Sequence, residues 1–364
     1  MTETNLFSLP VEIDGITRDW LETALSGYAP GVRVRDFEMV DFIRTTCTKI
    51  RLRLDLENNP PDAPIPNTVM LKGGFEPHSR AMAHMHMTET MSYATLMPAF
   101  DMRTPEIYFS RWDEEAQQGI VIMEDLVARG VDFCKPTRPQ SFEQVARRLE
   151  ELARLHAGTW GSPRLEPGET WGWLSDTPTH LLDYFGPFLE AEVWDPFIEA
   201  PRGAAASTRF HDREWMHEAM VKTGIYSEGQ PRCACHGDTH LGNLYIDTDG
   251  TPGFFDCISY KAPGMFEVAY HLTCALDVAD RKRWEGALIQ HYLNALRSHG
   301  VSPPGFDEAM HQFAVYLAYG YLVFVINDAI FQPEAYNTAY TARFSQAMLD
   351  HDTIGKLAAI QHVR

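Results

Sequence analysis

A chain of 364 residues, 45 % hydrophobic and 22 % charged, has the length for one large domain or two lobes sharing an interface. Acidic residues outnumber basic ones 50 to 31 for a net charge of −19, which argues against nucleic acid or an anionic membrane surface as partner. Six cysteines are too few for a disulfide framework at this length, and with no apolar leader after Met1 they read as reduced thiols of a cytoplasmic protein.

In chain order, a short helix is expected after Thr17, burying Trp20, Leu21 and Leu25. Strands follow at Val34–Val40 and Lys49–Leu56. In the second, Ile50, Leu52, Leu54 and Leu56 take one face, and Lys49, Arg51, Arg53 and Asp55 the other. The segment Asn58–Pro66 carries four prolines and is a loop, after which Thr68–Lys72 reads as a strand stopped by Gly73-Gly74. A helix is expected over Ser79–Met97, then strands at Ile107–Trp112 and Gly119–Met123. The rest reads as mostly helical. Ser141-Phe142-Glu143-Gln144 is a capping-box pattern, and long helices are expected at 283–299, 306–331 and 335–361. The longest uncharged apolar run, Phe313–Ile326, falls short of the roughly 20 residues of a membrane span and reads as a core helix. The expected architecture is α+β and bilobal, with an N-terminal lobe at 1–123 and a helical C-terminal lobe at 124–364.

The densest chemistry lies in His236-Gly237-Asp238-Thr239-His240-Leu241-Gly242-Asn243 and the hairpin that follows it, ending at Asp256. Asp249-Gly250 between apolar runs signals a tight turn. If those two are the turn residues, Asn243 stands opposite Asp256. A carboxylate and an amide oxygen converging from paired strands suit Mg²⁺, which takes hard oxygen ligands and keeps room for phosphate and water. Asp238 lies in the loop feeding the hairpin, where it can accept the proton of an attacking hydroxyl.

This segment resembles the catalytic and metal-binding loops of the aminoglycoside phosphotransferase and choline kinase family, relatives of the protein kinases. Other pieces stand in the family's order: Val69-Met70-Leu71-Lys72, Glu89, Gly119–Leu126 and Leu152–Ala157. The resemblance implies a protein-kinase-like fold, with an antiparallel sheet and one main helix in the first lobe. It implies ATP and Mg²⁺ as cofactors, transfer of the γ-phosphate to a hydroxyl of a small molecule, and a role for each matching residue. Asp238 is the expected catalytic base or orienter of the substrate hydroxyl, and Asn243 and Asp256 the metal ligands. Lys72 contacts phosphates and is positioned by Glu89, while the backbone of Glu124 and Leu126 contacts adenine. His156, His236 and His240 are structural.

The chain departs from the family pattern at Arg44-Thr45-Thr46-Cys47-Thr48, where a glycine-containing loop is usual; Thr45, Thr46 and Thr48 offer hydroxyls instead. Glu267 stands where an aspartate is common. The missing glycine leaves open a nucleotide-binding pseudokinase without turnover, and the His/Asp/His cluster of His236, Asp238 and His240 leaves open a metal-dependent hydrolase. Cys233, Cys235, His236 and His240 could be drawn as a soft-metal site, but Cys-x-Cys is not the spacing of common zinc knuckles. The acceptor stays open as well. The acidic charge is compatible with a cationic one, as are the tryptophans at 171, 173, 194 and 215, for which ordinary packing is the preferred reading.

Overall fold

Alternating apolar residues build the first of two structural units. In the computed structural model, which describes residues 7–361, β2 (Thr48–Glu57) buries Ile50, Leu52 and Leu54 and turns Arg53 and Asp55 outward, as its period-two pattern requires. It pairs with β1 (Arg33–Arg44) on one side and β3 (Thr68–Gly73) on the other. With β4 (Ile107–Asp113) and β5 (Gln118–Glu124) these strands form an antiparallel sheet of order β1-β2-β3-β5-β4. Thr17 caps the helix Arg18–Leu25, its Oγ1 accepting from the Trp20 amide at 3.2 Å, and Trp20, Leu21 and Leu25 pack with Val34, Val69 and Ile122.

The single helix expected over Ser79–Met97 is broken. Pro77–Ala81 ends at Met82, Ala83–Met91 follows, and Ser92–Leu96 widens into a π-turn. Gly119 lets the middle piece lie close to β5, since a Cβ there would meet the His86 carbonyl oxygen at 2.7 Å. By internal contacts this unit comprises residues through Val131 together with Phe255–Ile258, a segment remote in sequence.

The second unit, Asp132–Phe254 with Ser259–Arg364, is mainly helical. Its helix Phe142–Thr159 opens on the capping box, with Ser141 Oγ accepting from the Gln144 amide and Gln144 Oε1 from the Ser141 amide. Val145, Leu149, Leu152 and His156 line its buried face. The helices Val278–Ser298, Phe306–Ile326 and Glu334–Asp350 follow, and a separate Thr353–Ala358 ends the fold. Phe306–Ile326 stops five residues earlier than expected. By length and composition it is apolar enough to cross a membrane, but 83 % of its most apolar window is buried inside the fold.

Short strands complete this unit: β6 (Asp132–Phe133), β7 (Cys233–Cys235), β8 (Leu244–Ile246), β9 (Pro252–Phe254) and β10 (Tyr260–Ala262). They form the sheets β6-β8-β9 and β10-β7. The β8–β9 register corrects the expected one. Leu244 pairs with Phe254 and Ile246 with Pro252, and the Gly250 amide donates to the Asp247 carbonyl. The turn thus holds Thr248, Asp249 and Gly250, with Gly250 at φ +81°, instead of two residues. The expected opposition of Asn243 and Asp256 does not follow from this register.

Candidate active site

Three of the residues singled out by sequence meet in the first unit. Lys72 projects from β3 and Glu89 from the helix Ala83–Met91, and Lys72 Nζ lies 2.6 Å from Glu89 Oε1 and 3.0 Å from Asp256 Oδ1. Lys72 and Glu89 are both buried. Burial alone works against the Lys72 ammonium, but Asp256, Cys47 and Glu89 outweigh it and hold its pKa well above the ordinary value. Asp256 also takes Lys49 Nζ at 2.7 Å on Oδ2. Burial would raise its carboxyl, yet Lys49 and Lys72 keep it well below the usual carboxylate range. Asp256 sits at φ +55°, a left-handed conformation that aspartate tolerates better than most residues.

In the second unit, the loop His236–Asn243 is built around Asp238. Gly237, at φ +101°, turns the chain where a Cβ would be strained. Asp238 Oδ1 accepts from the Tyr270 hydroxyl at 2.8 Å and Oδ2 from Asn243 Nδ2 at 2.8 Å. Burial pushes its pKa up, but the adjacent His240, the Tyr270 hydroxyl and His236 bring it below the ordinary value, so Asp238 is an anion at neutral pH. Asn243 Nδ2 also donates to the Asp238 carbonyl at 3.0 Å. With its amide nitrogen committed to Asp238, Asn243 keeps Oδ1 as a hard oxygen donor. Asn243 Oδ1 and the Asp256 carboxylate are thus donors of the kind that fit Mg²⁺, each in its own unit. His240 Nδ1 accepts from the Gly242 amide at 2.9 Å, which places its proton on Nε2, 3.4 Å from Asp238 Oδ2.

The loop is gripped by one helix, Gly264–Ala275. Glu267 accepts from the His236 amide at 3.0 Å and the Gly237 amide at 2.7 Å. Tyr270 holds Asp238, and His271 Nδ1 lies 3.0 Å from the Thr239 carbonyl oxygen. Burial and then Arg148 push His271 down to about 4, so it is neutral and donates that proton. Positions 267, 270 and 271 are i, i+3 and i+4, one face of a helix. In the sequence Glu267 stands out only as a replacement for a common aspartate, and Tyr270 and His271 carry no motif of their own. The Glu-x-x-Tyr-His spacing was the signal that could have found them.

Behind Glu267 stands His156, with Nε2 2.9 Å from Glu267 Oε2 and Nδ1 2.7 Å from the Tyr292 hydroxyl. Burial alone would lower its pKa, but hydrogen bonds with Cys235 and Glu267 carry it up to about 9. Its folded value lies above the unfolded value of about 6.5. The stabilisation is therefore fully present below pH 6.5 and disappears as pH rises through about 9. Urea unfolding at pH 6 and pH 9.5 should differ by up to about 3 kcal/mol on this account, and a His156→Gln variant should lose most of that difference.

The remaining sequence candidates sort by their partners. Thr48 is buried and its hydroxyl donates to Glu76 at 3.2 Å, so it does not present that group to phosphate. Thr45 and Thr46 are half-buried, their carbonyl oxygens bound by His78 and Ser79. The Glu124 amide donates to the Glu106 carbonyl at 2.8 Å. Leu126 opens the short helix Leu126–Arg129, where Asp125 caps the amides of Val127 and Ala128 and does not take that of Leu126. Trp171 and Trp194 are core residues. A possible soft-metal cluster does form, but from His156, Cys233 and Cys235, whose ligand atoms lie within 4.8 Å of one another. Both His156 nitrogens are hydrogen-bonded to protein, and burial pushes the Cys235 thiol far up, so this trio reads as core.

Among solved structures, a protein of Ralstonia eutropha assigned as an aminoglycoside phosphotransferase aligns with a TM-score of 0.51 at 13 % identity, covering 92 % of this chain and 98 % of its own. The microcompartment-associated aminopropanol kinase aligns with a TM-score of 0.50 at 14 % identity, covering 94 % and 99 %. At these identities the likeness is one of fold, the bilobal α+β architecture of protein-kinase-like enzymes. No curated protein matches this sequence. The sequence model of the phosphotransferase enzyme family matches residues 99–301, more than half of the chain and the whole of the Asp238 loop with its anchoring helix. The chain belongs to the phosphotransferase enzyme family.

Proposed function

We propose that this protein transfers the γ-phosphate of ATP to a hydroxyl group of a small molecule. The observation that carries the reading is the Asp238 carboxylate, ionised and fixed at both oxygens by Tyr270 and Asn243. An oriented anion of this kind aligns an incoming hydroxyl and receives its proton as the phosphorus–oxygen bond forms. Lys72, kept cationic by Asp256 and Glu89, would face the charge spreading over the phosphoryl oxygens. Asn243 Oδ1 and the Asp256 carboxylate, each in its own unit, are the hard oxygens on offer to Mg²⁺, which when bound would neutralise phosphate oxygens. The net charge of −19 is compatible with a cationic acceptor.

The test is a screen of amino alcohols, sugars, aminoglycosides and apolar alcohols for ADP release from MgATP, with ³¹P NMR of the product. Phosphorylation of one acceptor class supports the reading. ATP binding with no turnover on any class would favour the pseudokinase reading. Thermal unfolding gives a second check that needs no acceptor. MgATP at about 100 times its Kd should stabilise the wild type by about 2.7 kcal/mol, and Asp256→Ala should remove the metal-dependent part of that shift.

A further inference from the structure

Lys49 has no role in the mechanism above, yet it stands directly across from Lys72 in the β2–β3 register. Like charges on opposed strand positions repel, so this pair needs an anion. Asp256 supplies it, with Oδ2 2.7 Å from Lys49 and Oδ1 3.0 Å from Lys72. Lys72 has a second carboxylate in Glu89. Among the described residues, Asp256 is the only one within ion-pair distance of Lys49. The Lys49 side chain is 24 % exposed, so its ammonium is open to an exchange of partner.

The loop ahead of Lys49 offers little to a phosphate. No residue from Arg44 to Thr48 has positive φ, so the alternating backbone that makes an anion-binding nest does not form there. The hydroxyl of Thr48 is turned to Glu76, and the amide and hydroxyl of Thr45 are both directed at the Cys47 carbonyl. Positive charge for a polyphosphate must then come from side chains. The two lysines with Asp256 and Glu89 are balanced in charge. Once Asp256 turns to a cation, Lys49 is left beside Lys72 without a carboxylate of its own.

We propose that Lys49 is a second phosphate-binding lysine, parked on Asp256 in the free protein and passing to the nucleotide's phosphates when Asp256 engages the cation. It does the work that a glycine-rich backbone loop would otherwise do. The proposal rests on the phosphotransfer reading.

Isothermal titration of wild type, Lys49→Met and Lys49→Arg with AMP, ADP and ATP in Mg²⁺ tests it. The Met variant should bind ATP more weakly by about tenfold or more, the size of one lost charge-assisted hydrogen bond, with a smaller loss for ADP and little for AMP. The Arg variant should retain most of the affinity. Lys49→Gln reads the same quantity if the Met variant does not fold. Equal losses for AMP and ATP, or no loss in a protein whose wild type binds ATP, would overturn the role of Lys49 and leave the phosphotransfer reading standing. A folded wild type that binds none of the three nucleotides would overturn both.

Discussion

Asp238→Ala is expected to lower phosphoryl transfer by about 10²–10⁴-fold while ATP affinity is unchanged. Oδ1 of the carboxylate accepts from Tyr270, and Oδ2 accepts from Asn243 with His240 Nε2 3.4 Å away. Each keeps lone-pair capacity for a substrate hydroxyl. Because its pKa is held below the ordinary value, Asp238 is a weak base at neutral pH. In a loose, metaphosphate-like transition state the hydroxyl proton leaves late, so orientation matters more than basicity. Asp238→Asn separates the two contributions. It preserves shape and one acceptor oxygen, loses the charge, and should fall nearly as far as the alanine variant if the anion is needed. Initial rates on an acceptor found by the screen, with ATP affinity from calorimetry, decide the matter. Undiminished turnover in the alanine variant would remove Asp238 from the chemistry.

Glu267→Ala is expected to destabilise the second unit by about 3–5 kcal/mol, the range for breaking a buried ion pair by deleting one partner. The substitution strands the His156 imidazole inside the core and leaves the His236 and Gly237 amides without their acceptor. The urea midpoint should fall with the denaturant slope unchanged. Glu267→Asp restores the charge with one methylene less reach, so it should recover part of the stability. A loss below about 1 kcal/mol for the alanine variant would mean that Glu267 does not anchor the loop.

Much of this was legible in the sequence where local periodicity governs. The alternation from Ile50 to Leu54 fixed which face of β2 is buried, and Ser141 with Gln144 marked a helix start that the structure retains. The Asp249-Gly250 pair signalled the hairpin but misled on its register. The turn begins one residue earlier, with the Asp247 carbonyl taking the Gly250 amide, and dipeptide chemistry does not count the residues in a loop. The Lys72–Glu89 pairing came from resemblance, since nothing in the spacing of the two residues says that a helix and a strand will meet there. Lys49 was lost for a related reason. Its strand pattern assigns it to the polar face with Arg51 and Arg53, and periodicity cannot name a partner at Asp256, some two hundred residues away. The composition of Ser79–Met97 suits one helix, whereas Met82 and the π-turn break it.

The helix Gly264–Ala275 is buried at every one of its 12 residues. A rod clasped along its whole length has no freedom to re-tilt, so the carboxylate it steadies has a fixed frame of reference. Divergence toward a new acceptor would then proceed by remodelling surface segments such as the short helices Leu181–Phe185 and Gly186–Leu189, which expose Tyr184 and Phe188, without recalibrating the reacting group. For an engineer, the fold divides into a stretch to be left alone and a stretch to be randomised, and the boundary runs along the Glu-x-x-Tyr-His face.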